Sequence, residues 1–232
     1  MFNAEEGRWN TLGSLSGDFL CPRYFSSAGY LDSNHSVYIF GGMGNESGDQ
    51  VIGRCYFHDF YKVDLQEMRV QKLWDISEGQ PNMVPAQDMV ILNDSCFYVL
   101  RYPESVSNSF LHLYRFSVED GSCHILGDSI PIYSDKITTN ARLYYNERQS
   151  RLFVTVQETS DDVSSKFSVY SLLFPPVSLE KYTANNGGGN ALHVWLVLVA
   201  AVVAVAGGSV WIVYKRQGRG WQSCATGQGT TS

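Results

Sequence analysis

Across residues 1–178 the apolar positions come in short runs rich in Val, Ile, Tyr and Phe, separated by clusters of Gly, Asn, Asp, Ser and Pro. Runs of this length, bounded by turn formers, are the pattern of strands and turns, and little of the region carries a helical period. The pattern predicts strands at Ser36–Phe40, Phe57–Leu65, Cys96–Leu100, Phe110–Val118, Leu152–Val156 and Phe167–Leu173. An aromatic content of 13% fits a packed β core, because rings suit a pleated, half-buried surface.

One segment breaks the pattern. From Ala191 to Tyr214 the chain has no Lys, Arg, Asp or Glu, and Lys215, Arg216 and Arg219 follow. A hydrocarbon core needs roughly 20 apolar residues as helix, so the run predicts a transmembrane helix and a lipid bilayer as partner. Trp195, Trp211 and Tyr214 stand near its ends, where amphipathic rings favour the headgroup region, and the basic flank places the C-terminus in the cytoplasm and the β domain outside. Ala200, Ala204 and Gly208 form a small-residue stripe that permits a helix-mediated dimer. The domain division that results is a β portion at 1–178, a polar spacer at 179–190, the span at 191–214 and a tail at 215–232 that reads as disordered.

Repetition refines the β portion. SVYIFGGMG (Ser36–Gly44) lies over SCFYVLRYP (Ser95–Pro103) and RLFVTVQET (Arg151–Thr159), at spacings of roughly 55 to 60 residues. A strand precedes each of these segments (Arg23–Leu31, Ala86–Asp94, Asn140–Arg148) and another follows (Asp59–Leu65, Phe110–Asp120, Lys166–Phe174). A fourth strand, Met68–Ile76 or Gly121–Ile130, completes the first two units, and the third unit has no obvious counterpart before Pro175-Pro176.

The first unit resembles a kelch repeat. Pro22-Arg23 precede its first strand, Gly41-Gly42 end the second, Tyr61 and Asp64 stand in the third and Trp74 in the fourth. Glycines at a strand end let the backbone turn where a side chain would collide with a neighbouring sheet, and Trp74 is a large body suited to wedging between sheets. The resemblance covers Arg8 to about Pro175 in layout, but its motif is confined to the first unit, since Arg101-Tyr102 and Gln157-Glu158 stand where the glycines would be. It implies an all-β fold, a partial kelch-type β-propeller of about three four-stranded antiparallel blades followed by one transmembrane α-helix, with a β-sandwich as the competitor. Gly7–Leu12 reads as the last strand of a further blade, and Met1–Gly13 has neither the basic nor the apolar part of a signal peptide. The layout resembles the C-terminal portion of bacterial single-pass kelch proteins, and the chain is expected to be a fragment of a longer receptor-like protein.

Chemistry is sparse. With 23 acidic and 17 basic residues the formal net charge is -6, which argues against nucleic acid as a partner of the β domain. Cys21, Cys55, Cys96, Cys123 and Cys224 form no CxxC pair, so zinc is not expected, and buried free thiols are favoured over disulfides. His35, His58, His112, His124 and His193 do not cluster. Only His58-Asp59 sets an imidazole beside a carboxylate, and neighbours in a strand point to opposite faces. Asn34, Asn45 and Asn93 begin formal glycosylation triplets, which arise readily in turns of this composition. The long loop Gly44–Tyr56 is the kind of segment on which rigid scaffolds carry binding residues.

The expectation is a membrane-tethered, non-catalytic, extracytoplasmic binding or sensing module for a protein or glycan ligand, with no metal, cofactor or catalytic residue. Two alternatives stand beside it. One is a propeller enzyme acting on glycans in the manner of galactose oxidase, which needs convergent ionisable groups or copper ligands; the other is a truncated, non-functional product.

Overall fold

A computed structural model describes residues 2–9, 13–49, 53–133, 140–159 and 164–184. Contacts divide the chain into residues 1–179 and 180–232. Of the second unit only 180–184 are described, in a helical turn where Thr183 Oγ1 donates to the Glu180 carbonyl at 3.0 Å.

The described β strands number fifteen. A two-stranded ribbon, β1 (Phe2–Asn3) and β2 (Arg8–Trp9), comes first. Short β3 (Ser16–Gly17) and β4 (Arg23–Tyr24) precede the first long hairpin. Three meanders then follow: β5 (Ser27–Leu31), β6 (Ser36–Gly44), β7 (Cys55–Asp64) and β8 (Arg69–Asp75); β9 (Val84–Asn93), β10 (Cys96–Tyr102), β11 (Ser109–Ser117) and β12 (Cys123–Ile132); and β13 (Asn140–Asn146), β14 (Arg151–Thr159) and β15 (Ser165–Leu173). Neighbours within each meander are antiparallel throughout. The fold is sheet-rich, and the units found from the repeat correspond to the three meanders, called the first, second and third sheets below; a single parallel bridge between β5 and β9 joins the first two into one ten-stranded sheet.

The first strands of the sheets lie together. β5 and β9 pair in parallel at Ala28 and Asp88, and β13 lies alongside β9. Successive sheets then pack face against face. Tyr38, Phe40 and Phe60 of the first sheet share a core with Phe97, Val99 and Phe116 of the second. Tyr98, Leu100 and Leu113 of the second share a core with Leu143, Leu152 and Val154 of the third. A smaller cluster of Tyr61, Val63 and Val70, with Leu20 against it, occupies the other face of the first sheet.

The register of the repeat differs from the sequence superposition. The hairpins close on the pairs Leu31–Ser36, Asn93–Cys96 and Asn146–Arg151, so Ser36 corresponds to Cys96, not Ser95. The first hairpin has the longer turn, a 3-10 turn at Asp32–Asn34 with His35 at φ 50°, where the second has only Asp94 and Ser95. A slip of one residue exchanges the faces of a strand. With the corrected register, Tyr38 and Phe40 correspond to Tyr98 and Leu100, and both pairs look toward the following sheet.

Two further expectations change. Arg8–Trp9 pairs with Phe2–Asn3, so this stretch is half of a separate ribbon and not a fourth strand. The transmembrane, single-pass reading is withdrawn: among the described residues no helix is long and apolar enough to cross a membrane. The run 191–214, with Trp195, Ala200, Ala204, Gly208, Trp211, Tyr214 and the flanking Lys215 and Arg216, lies outside the described residues. The orientation and the helix-mediated dimer were drawn from those same residues.

Candidate binding site

The residues of the kelch-like motif come together around the first sheet. Gly41 and Gly42 sit at φ 61° and 104°, in the left-handed region that side chains disfavour. A Cβ on Gly41 would lie 3.1 Å from the Phe57 carbonyl oxygen and 3.3 Å from Pro85 of the second sheet, and one on Gly42 would lie 2.8 Å from the Tyr24 carbonyl oxygen. Tyr61 donates its hydroxyl to the Phe19 carbonyl at 3.3 Å. Asp64 caps the β7–β8 turn, accepting from the Gln66 and Glu67 amides at 2.9 Å each. Trp74 lies between the first two sheets, stacked at 5.0 Å on Phe60 and 6.2 Å from Phe116, and donates Nε1–H to the Val118 carbonyl at 2.9 Å. Gly121 faces the indole, which a Cβ there would meet at 3.0 Å.

The buried charges serve this framework. Arg23 makes a two-pronged pair with Asp59 (2.6 and 3.1 Å), donates to the Gly41 carbonyl at 3.1 Å and covers the Phe57 ring at 4.4 Å. His58, one residue before Asp59, points the opposite way, into the joint between the first and second sheets. There Arg101 Nη2 donates to His58 Nδ1 at 2.7 Å, and the guanidinium lies 5.0 Å from the Tyr114 ring centre. Burial and then the Arg101 charge lower the His58 pKa to about 4, so the imidazole is neutral at pH 7. His58 and Asp59 therefore act in two separate structural pairs. Among the described residues, no three His, Cys, Asp or Glu side chains come together to hold a metal ion. Cys21, Cys55, Cys96 and Cys123 are all free thiols, the first and third buried.

The glycosylation triplets and the long loop are also engaged locally. Asn34 donates to Tyr38 and Asp94, Asn45 donates to the Asp49 carbonyl at 2.6 Å, and Asn93 accepts from Ser95 and Cys96. β7 begins at Cys55, which shortens the connection expected at Gly44–Tyr56.

The feature best suited to holding a ligand is a cavity of about 480 Å³ that sequence reasoning missed. It lies where β9 and β13 begin and β10 and β14 end, beside the bend between β4 and β5. All three sheets contribute: Phe25 and Ser26 from the first, Pro85, Ala86, Gln87 and Tyr102 from the second, Asn140, Gln157 and Thr159 from the third. Among the described residues no ionised side chain lines it. Burial, and then Glu104, push the Tyr102 hydroxyl up to about 12, so it too stays neutral. The lining offers amides and hydroxyls as donors and acceptors around two aromatic rings, the composition that suits an uncharged, hydrogen-bonding ligand. No local motif marks these positions, since they are far apart in the chain and meet only at the ends of adjoining strands.

No known protein family matches the chain, and no curated protein matches it. Among solved structures it is similar to the crystal structure of a conserved lipoprotein from Clostridium novyi NT, at 14% identity over 65% of this chain and 88% of that one, with a TM-score of 0.39. A score that low does not define a shared fold.

Proposed function

We propose that the protein is a non-catalytic binding module whose three sheets are successive blades of a kelch-like β-propeller, and that it takes a neutral, polyhydroxylated ligand such as a glycan. Support for the propeller reading comes from the adjacent first strands, the parallel β5–β9 pair and the equal sense in which Tyr38 and Tyr98 face the next sheet. The observation that carries the function is the cavity of about 480 Å³, built from all three sheets and lined by Gln87, Asn140, Gln157 and Thr159, with no ionised group among the described residues that line it. Amide side chains match the paired hydroxyls of a sugar, and Phe25 and Tyr102 offer apolar faces for its C–H surface.

The test is a screen of the full chain against neutral and charged oligosaccharides, followed by titration calorimetry of those that bind. A neutral glycan is expected to bind, and Asn140→Ala with Gln157→Ala is expected to weaken it at least tenfold. Binding confined to charged ligands, or binding that the double variant leaves intact, would remove this reading.

A further inference from the structure

The third sheet is unfinished on its outer side. The first and second sheets each have a fourth strand antiparallel to the third, β8 on β7 (with short β3 parallel to β8 beyond it) and β12 on β11, while β15 pairs only with β14 among the described residues. The chain that follows does not return along β15. At Phe174 it turns inward, the ring packing against Tyr98 and Tyr145, and Pro175-Pro176 supply no backbone N–H. It then crosses to the second sheet, where the Gly127 amide donates to the Val177 carbonyl at 2.8 Å and Leu126 bridges Ser178. Among the described residues, no strand therefore pairs with the outer edge of β15, which is nine residues long.

Both faces beside that edge are prepared for a strand. On one face Phe167, Val169 and Leu173 are 65%, 59% and 64% exposed. On the other, an apolar slot of about 260 Å³ runs between β15 and β12, lined by Leu111, Leu113, Ile130, Leu143 and Leu172 among others. In the joint between the first and second sheets, the fourth strand of the later sheet sends Ile125 back into the core. The third sheet has no fourth strand to do the same, and the slot lies at the corresponding place.

We propose that the β15 edge pairs with the β15 edge of a second copy of this chain, antiparallel across a two-fold axis, to make one continuous six-stranded sheet. Two observations select a second copy. The missing strand must run antiparallel to β15, which a two-fold axis imposes on self-pairing. Natural edge strands are usually guarded by charge or proline, yet β15 carries only Lys166 and no proline, so self-pairing sets no like charges opposite one another. A register centred on Tyr170 sets Phe167 against the partner's Leu173 and Val169 against the partner's Ser171, so that the exposed side chains gain cross-strand neighbours. Burial of these side chains together with the open backbone groups drives the association.

The test is performed on the full chain. A photoreactive p-benzoyl-phenylalanine at position 169 is expected to cross-link to the 165–173 segment of another copy, identified by mass spectrometry. Sedimentation is expected to give twice the 26.0 kDa of one chain, and Val169→Lys, an exposed change, is expected to weaken association at least tenfold with an unchanged near-UV spectrum. A monomer at tens of micromolar, a cross-link to any other segment, or a Val169→Lys chain that stays dimeric would overturn the proposal. So would a separate peptide found to occupy the edge in place of a second copy.

Discussion

The joint between the first and second sheets and the joint between the second and third are built to the same plan and filled differently. The first is aromatic: Phe60 and Phe97 stack at 4.5 Å, Phe97 and Phe116 at 5.3 Å, and Trp74 lies against Phe60 and Phe116. It also buries a polar pair, Arg101 and His58. The second is mainly aliphatic, with Leu100, Leu111, Leu143 and Leu152 fully or almost fully buried, and it retains the slot beside β15. Complete four-stranded sheets close a joint from both sides, through Trp74 from one and Ile125 from the other. Where one sheet has three strands among the described residues, an apolar slot remains at the outer rim and an edge lacks a described partner. Fourth strands thus act as stoppers as well as sheet members.

The largest effect that separates the joints is expected from truncation. Phe97→Ala removes a fully buried ring from a stacked column and is expected to cost about 3 to 5 kcal/mol in urea unfolding. Leu152→Ala in the second joint is expected near the lower end of the leucine range, about 2 kcal/mol, because the neighbouring slot gives its surroundings room to collapse. Equal losses would show that the slot does not soften the second joint.

Acid is expected to act on the first joint and spare the second. His58 has its pKa lowered from 6.5 to about 4, so between those values the unfolded chain takes up a proton that the folded chain refuses. Stability is therefore highest above pH 6.5 and falls as the pH drops through this window, by on the order of 3 kcal/mol. A His58→Gln chain is expected to lose most of that slope, measured as unfolding midpoint against pH. Asp75, held down to about 2, contributes a separate loss only below its ordinary value of 3.8. A His58→Gln profile that matches the unaltered chain would detach the pH dependence from the first joint.

The smallest of these effects concerns the glycine pair. Gly42→Ala forces a Cβ to within 2.8 Å of the Tyr24 carbonyl oxygen at φ 104°, and is expected to cost about 1 to 3 kcal/mol. The same substitution at Gly79, which has a positive φ but open space around it, should cost less; a reversal of that order would show that backbone strain outweighs the close approach.

Much of the sheet structure is legible in the chain because strands are local: runs of Val, Ile, Tyr and Phe between turn formers mark β6, β7, β10, β11, β14 and β15 in nearly their observed places. Trp74 and the Gly41-Gly42 pair are legible for the same reason, as unusual residues at fixed positions in a repeat. The register was less so. Ser36 and Ser95 look equivalent by identity, but the 3-10 turn at Asp32–Asn34 lengthens one hairpin, and the true partner is Cys96. The cavity beneath Gln87, Asn140 and Gln157 left no mark, since its walls come from three sheets and no one segment contains them.

By itself the sequence determined the repeated β meanders that begin at Ser27 and end at Leu173, because alternation and turn chemistry act over a few residues. Tertiary structure alone decided which side chains meet: that His58 serves Arg101 and Asp59 serves Arg23, and that Ser26, Gln87, Tyr102, Asn140, Gln157 and Thr159 share one cavity. It also decided that the chain leaves β15 at Pro175 and crosses to the second sheet, with one edge of β15 unpaired among the described residues. Those outcomes depend on how one sheet is stacked and turned on the next, a relation between distant segments that no local pattern encodes.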